Sequence, residues 1–405
     1  MPFRPRTIRP LLALALALGA GGIAVAAPTG AAADGPPIGA PWTVSLGDSY
    51  ISGEAGRWAG NTNGSSNATD ALGPTAYYDN STNTAETIER CHRSKAAEVF
   101  INGSGSSANL ACSGALTSTD ASGQYFKPGI DFYSDSSGRK GQARMLQEFA
   151  TTHNVRMVQL SIGGNDFNFA GIIQQCVSDF LASPSWWPDY CYDDSSVKSN
   201  FTTANVTAKT AAITAAIANV KAAMSNAGYS TTQYTILVQT YPSPLPGGSG
   251  IRYGQSGYSR QSTGGCGFWN KDADWANTTA LVTINNAVKA AATASGTNVT
   301  VLDLAGAFTG RRLCENTVGL LEEKGLGSWT ATGASDTTEW IEQIRTVSTV
   351  FGPYFVQESL HPNYWGELAI RNCVRQAYNG GAPRGGICRH GTGLNTSGEP
   401  NMTLS

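Results

Sequence analysis

Five apolar, β-branched runs recur at wide intervals along the chain, and this spacing constrains the fold more than any other feature. They are TVSLG (Thr43–Gly47), ANLAC (Ala108–Cys112), VRMVQLSIGG (Val155–Gly164), YTILVQTY (Tyr234–Tyr241) and VTVLDLAG (Val299–Gly306). Continuous runs of this kind suit strands buried on both faces, the habit of parallel sheets. Helical patterns lie between them. Gly141–Asn154 puts Met145, Leu146 and Phe149 on one face, and Asn205–Gly228 repeats Ile213, Ile217, Val220 and Met224 before stopping at Gly228. Thr279–Gly296 repeats Leu281, Ile284 and Val288, and Pro362–Asn379 begins with a proline that suits a helix start. Strands alternating with helices need crossover connections, so the expected fold is an α/β sandwich with a parallel sheet and helices on both faces.

Three stretches break the alternation: about 58–98, 242–269 and 311–357, all rich in Gly, Ser, Asn and aromatics. Loops this long are usually functional or ordered by cross-links, and they read as insertions at the rim of one domain spanning 34–405. Residues 1–33 read differently. Arg4, Arg6 and Arg9 precede a short apolar run and Ala-x-Ala sites, the pattern of a secretory signal peptide cleaved near Ala33, with Ala26 as second choice. The expected location is therefore extracellular.

Charge excludes several partners. The chain has 27 basic and 29 acidic residues, and only 14% of its residues are charged. That is well below the usual quarter. No basic field exists to attract nucleic acid, and no charge run to hold a membrane surface. Eight cysteines (Cys91, Cys112, Cys176, Cys191, Cys266, Cys314, Cys373 and Cys388) form an even set that argues for disulfides in an exported chain. Many pairings are allowed, and the simplest joins successive cysteines. No CxxC or HxxxH partners the Cys91–Arg93 segment, and Asp189, Asp193 and Asp194 lack the spacing of a calcium loop, so no metal is expected.

In an open parallel sheet, ligands bind beyond the carboxyl ends of the strands. Those ends carry Gly47-Asp48-Ser49, Cys112-Ser113-Gly114 and Gly163-Gly164-Asn165-Asp166. A hydroxyl, a glycine N–H and a carboxamide converging on one rim are what acyl transfer needs: a nucleophile and donors for the oxyanion. A serine also needs a base. Of four histidines, His92 adjoins a cysteine, His153 ends a helical pattern, and His390 lies in a Gly-rich tail. His361, just before the last helix, is the one that can return to the rim, with Glu358 three residues earlier. Asp48 and Asp166 read as braces for their loops. The aromatic cluster Ser183–Asp194 reads as a disulfide-pinned loop packed on the core, with an acyl-binding groove or sugar contacts as the alternatives.

The four segments GDS, ACSG, GGND and ESLHPN, in this order, resemble the blocks of the SGNH (GDSL-type) hydrolases, most closely the secreted, disulfide-containing lipases and esterases of actinomycetes. They span Gly47 to His361. No G-x-S-x-G is present, so the α/β-hydrolase elbow is not available. The resemblance implies a three-layer, flavodoxin-like α/β/α sandwich with about five parallel strands and no cofactor. It implies Ser49 as nucleophile, an oxyanion hole of the Ser49 N–H, the Gly114 N–H and the Asn165 amide, and His361 as base and then acid. The family usually has Asp three residues before the histidine, where this chain has Glu358. Glu358 is thus the expected third member, acting through its side chain or, as in some members, its main-chain carbonyl.

The expected activity is hydrolysis of a carboxylic ester by a monomer, on lipid-like substrates and with transient contact at a lipid interface. An acetyl esterase acting on polysaccharide is the alternative within enzymes. A secreted lipid- or carbohydrate-binding module without activity is the alternative outside them.

Overall fold

The computed structural model describes residues 36–102, 106–346 and 352–405. The expected leader, 1–33, lies outside these residues. The five apolar runs become β1 (Trp42–Gly47), β2 (Ser107–Asn109), β3 (Val155–Ser161), β4 (Thr235–Gln239) and β5 (Val299–Asp303). They lie in one sheet in the order β2-β1-β3-β4-β5, every neighbouring pair parallel. The expected count of about five is corrected to seven. β6 (Gly386–Leu394) continues the sheet parallel to β5, and β7 (Pro400–Leu404) turns back antiparallel at the edge. A half-exposed, glycine-rich edge hairpin carries little of the apolar signal that marks buried strands.

Helices cover both faces. Here α1 is the short turn Ser49–Ser52, α2 is Gln142–Thr152, α3 is Phe169–Ala182, α4 is Thr203–Asn226, α5 is Leu281–Ala294 and α6 is Tyr364–Tyr378. Strand residues sort by parity, as a pleated sheet requires. Val44, Leu46, Val158, Leu160, Ile236 and Val238 pack with α2, α4 and α5, through residues such as Leu146, Ile217 and Val288. Met157, Leu237 and Leu302 face the other way and pack with α3 and α6, through Ile172, Cys176, Leu368 and Cys373. The result is three layers, α/β/α.

The three long loops fold against one another. Asn61 of the first donates to the Glu339 carboxylate and the Ile341 carbonyl of the third, and Arg252 of the second pairs with Glu339 at 2.6 Å. The disulfide Cys266–Cys314 joins the second loop to the third. Cys91–Cys112, Cys176–Cys191 and Cys373–Cys388 complete a pairing of successive cysteines.

Candidate active site

β1 delivers Ser49 through a crowded turn. Gly47 has φ +140°, and a Cβ there would lie 1.9 Å from the Ser161 carbonyl oxygen of β3, so only glycine fits. Gln142 at the start of α2 clamps both polar groups of Gly47, accepting from its N–H at 2.7 Å and donating to its carbonyl at 2.9 Å. Asp48 then caps α1: its Oδ1 accepts from Tyr50 N–H at 3.1 Å and its Oδ2 from Tyr241 Oη at 2.5 Å. Burial raises the Asp48 pKa to about 7 against these bonds. The carboxyl points into the loop and away from solvent, which fits a brace.

His361 arrives from the far end of the chain. Asn363 caps α6 by accepting from the N–H groups of Trp365 and Gly366, and this fixes the residues just before the helix. Glu342 donates its N–H to the His361 carbonyl, and Tyr50 Oη donates to the Leu360 carbonyl at 2.8 Å. His361 Nε2 thereby sits 2.6 Å from Ser49 Oγ. The two residues are 312 positions apart in the chain. Burial lowers the His361 pKa, so the ring is neutral near neutral pH and free to accept a proton.

The Nδ1 side of the ring meets a main-chain group, the Ser359 carbonyl, at 2.9 Å. That contact fixes the tautomer with the proton on Nδ1 and a lone pair on Nε2. The Glu358 carboxylate faces elsewhere: it accepts from Tyr77 Oη at 2.5 Å, from Trp58 Nε1 at 2.9 Å and from the Phe355 N–H at 3.0 Å. The Glu358 carbonyl accepts the His361 backbone N–H. The expected pairing of Glu358 with the imidazole is therefore corrected. Three donors from the first and third loops capture the carboxylate, and the carbonyl one residue on takes the ring. Burial raises the Glu358 pKa to about 7, helped by the nearby Glu54 charge.

The donors converge as well. Ser49, Gly114, Asn165 and His361 line one cleft of about 520 Å³, together with Ser113, Phe169, Ile173, Val177 and Leu181. Gly114 sits at φ +79° in a loop pinned by the adjacent Cys91–Cys112 disulfide and by the Ser113 N–H donating to the Cys91 carbonyl. Asn165 Nδ2 donates to the Ala115 carbonyl at 2.9 Å, which orients the amide across the cleft. Behind it, Asp166 accepts from the N–H and the hydroxyl of Thr117 and braces that loop. The face of α3 built from Phe169, Ile173, Val177 and Leu181 makes one wall apolar.

Some residues gave no sequence signal. Ser359 acts through its backbone, and Gln142, Tyr241 and Gln357 are polar residues whose partners lie far away in the chain. In the aromatic cluster the Cys176–Cys191 disulfide pins the loop with Cys191 in the core, but Trp186 and Trp187 depart from the expectation: they are 80% and 74% exposed and neither pack on the core nor line the cleft. They lie in a turn closed by the Trp187 N–H donating to the Pro184 carbonyl at 2.9 Å. Among the described residues, no cluster of His, Cys, Asp and Glu is arranged to hold a metal ion, and no helix is long and apolar enough to cross a membrane.

No family model and no curated protein matches this chain. Among solved structures it is similar to the extracellular lipase from Streptomyces rimosus, at 20% identity and a TM-score of 0.41, over 81% of this chain and 95% of that one. It is also similar to phospholipase A1 from Streptomyces albidoflavus NA297, at 20% identity and a TM-score of 0.34, over 80% and 93%. A third is Est24, a carbohydrate acetylesterase from Sinorhizobium meliloti, at 12% identity and a TM-score of 0.26, over 64% and 83%.

Proposed function

We propose that this chain is an exported serine carboxylic ester hydrolase of the SGNH kind, acting through an acyl-Ser49 intermediate. The observation that carries the reading is the 2.6 Å contact of Ser49 Oγ with His361 Nε2 inside a largely apolar cleft. The Ser49 hydroxyl attacks the ester carbon while His361 Nε2 takes its proton, and the Ser359 carbonyl steadies the imidazolium that forms. The oxyanion is met by the N–H groups of Ser49 and Gly114 and by the Asn165 amide. The alkoxide then leaves with the proton from His361, and water repeats the sequence to release the acid.

Residues 34–405 form the catalytic domain in this reading, 1–33 a leader removed on export, and four disulfides support an oxidising destination. The favoured substrates are lipid-like esters, because an acyl chain fills a 520 Å³ apolar cleft that an acetyl group would leave mostly empty. The second reading, an acetyl esterase on polysaccharide, draws on the exposed Trp186 and Trp187, whose faces can stack on sugar rings.

A fluorophosphonate probe tests the chemistry. The native protein gains one adduct on Ser49, whereas Ser49→Ala and the denatured chain gain none. A native protein that stays unlabelled favours a binding module instead. The ratio of long-chain to acetyl ester turnover then separates the two enzymatic readings.

A further inference from the structure

Behind the catalytic pair lies a charged group that the mechanism above does not use. Glu54, five residues after Ser49, is fully buried, and its Oε1 lies 2.7 Å from Nδ1 of the equally buried His92. Its Oε2 accepts from the Gln357 carboxamide nitrogen at 2.9 Å. The same nitrogen contacts Ser113 Oγ at 2.7 Å and the Arg90 carbonyl at 3.0 Å. One carboxylate thus ties together three segments: the turn after the nucleophile, the loop that presents Gly114, and the strand of chain that leads through Glu358 to His361.

We propose that Glu54 is a positioning residue for the ester hydrolysis described above: its ion-paired carboxylate, through Gln357 and Ser113, sets the Gly114 loop against the Ser49–His361 pair and supplies the negative charge that Glu358 does not bring to the imidazole. This rests on Ser49 and His361 being the reacting pair.

The neighbours favour a fixed charge. Burial is the largest single influence and raises the Glu54 pKa, but the charge and hydrogen bond of the facing His92, with smaller help from His361 and Ser113, together hold the carboxyl down at about 2. His92 is correspondingly raised, despite burial, by Glu54 and more weakly by Glu86 and Glu358. Tyr77 stacks on the His92 ring at 4.4 Å and passes its hydroxyl to Glu358, so the pair is sealed from water. Lys127 faces it from the oxyanion side, and Arg90 contributes only its main-chain carbonyl, which accepts from Lys127 Nζ and from the Gln357 amide. At His361 the Glu54 charge acts to raise the pKa and outweighs the opposing His92. It therefore favours the imidazolium that forms as Ser49 attacks.

The test is kinetic, on the purified full chain with a soluble ester. Glu54→Gln keeps the hydrogen-bonding shape and removes the charge. The expected result is a fall in kcat of about ten- to hundredfold with KM little changed, the size expected when a catalytic constellation is misplaced. The acidic limb of the kcat/KM profile moves to lower pH, because His361 loses the negative charge that raised it. Glu54→Asp, which retains the charge, restores the limb and part of kcat. Gln357→Ala lowers kcat without moving the limb, because it cuts the tether and leaves the charge. A Glu54→Gln enzyme with wild-type kcat and an unmoved limb would falsify the proposal. Should that variant not fold, an unmoved kcat in Gln357→Ala together with a displaced limb in Glu54→Asp overturns it equally. Wild type that the fluorophosphonate leaves unlabelled rejects the catalytic pair itself, a separate failure.

Discussion

The Asn165 amide carries two protons, and its surroundings divide them. One goes to the Ala115 carbonyl at 2.9 Å, and the other is left to face the cleft that Ser49 lines. Asn165→Ala should therefore cut kcat by about two to three orders of magnitude with little change in KM, the usual loss for one oxyanion donor. Steady-state kinetics on a soluble ester decides this, and unchanged turnover removes Asn165 from the hole. Glu358 predicts the opposite. Its carboxylate serves Tyr77, Trp58 and the Phe355 N–H, none of which touches the reacting atoms. Glu358→Gln should keep kcat within about threefold, since the Ser359 carbonyl still holds the ring. A loss of a hundredfold or more would restore Glu358 to the catalytic group. The contrast also shows what could be read in advance. Ser49, Asn165 and His361 stand at element boundaries, where side-chain chemistry is visible in the letters, and Gly114 is marked by the freedom of a glycine at a turn. A main-chain carbonyl has no letter. Glu54 offers only one acid among glycines until His92 and Gln357 are folded against it.

Among the elements, periodicity separates what was legible from what was not. β1, β3 and β4 and the helices α2, α4, α5 and α6 each carry a buried apolar repeat, and each was readable to within a few residues; β2 is short, polar and mostly half-buried, and β5 is mostly half-buried. α3 was not readable in this way. It follows Asn168, which sits in the left-handed region at φ +61° and makes no capping bond with its side chain, so the ordinary start signal is missing. Yet α3 lines the cleft, with Phe169, Ile173, Val177 and Leu181 repeating every turn along its wall. A further helical segment precedes α5 without a sequence signal of its own. Asn270–Trp275 runs into it through a π-turn at Ala276–Ala280, which interrupts the repeat. The three long loops escaped sequence reading for another reason. Their order comes from single long-range contacts, such as Asn61 to Glu339 and Arg252 to Glu339, that no local window contains.

Taken whole, the molecule keeps several carboxyl groups away from water, and its stability should depend on pH because of them. Glu98, in the loop before β2, and Glu367, on α6, are both fully buried against the α6 side of the sheet. Among the described residues neither carboxyl has a hydrogen-bond partner of normal geometry, and Gln239 beside Glu98 and Arg371 beside both only partly offset the burial. Burial raises the Glu98 pKa to about 8, and Glu367 is raised well above the ordinary range by burial and by Glu98 itself. An uncompensated buried carboxylate is costly, so both groups are held as neutral acids in the native state. The sign follows from linkage. Below the unfolded pKa, near 4.5, both states hold the proton and pH has no effect. Between there and about 8 only the unfolded chain releases it, so stability falls as pH rises. Each pH unit then costs on the order of 1 kcal/mol per such group. Asp48, Glu342 and Glu358 are also raised and add to the same slope. A variant isolates the Glu98 share. Glu98→Gln has no proton to lose, and it relieves Glu367 of its neighbour. Urea unfolding at pH 5 and pH 8 should show wild type losing clearly more stability than Glu98→Gln over that interval, with the curves meeting toward acid. Parallel slopes would mean that Glu98 is ionised and paired in the folded chain, and that the cost of its burial is met by a contact other than its own proton.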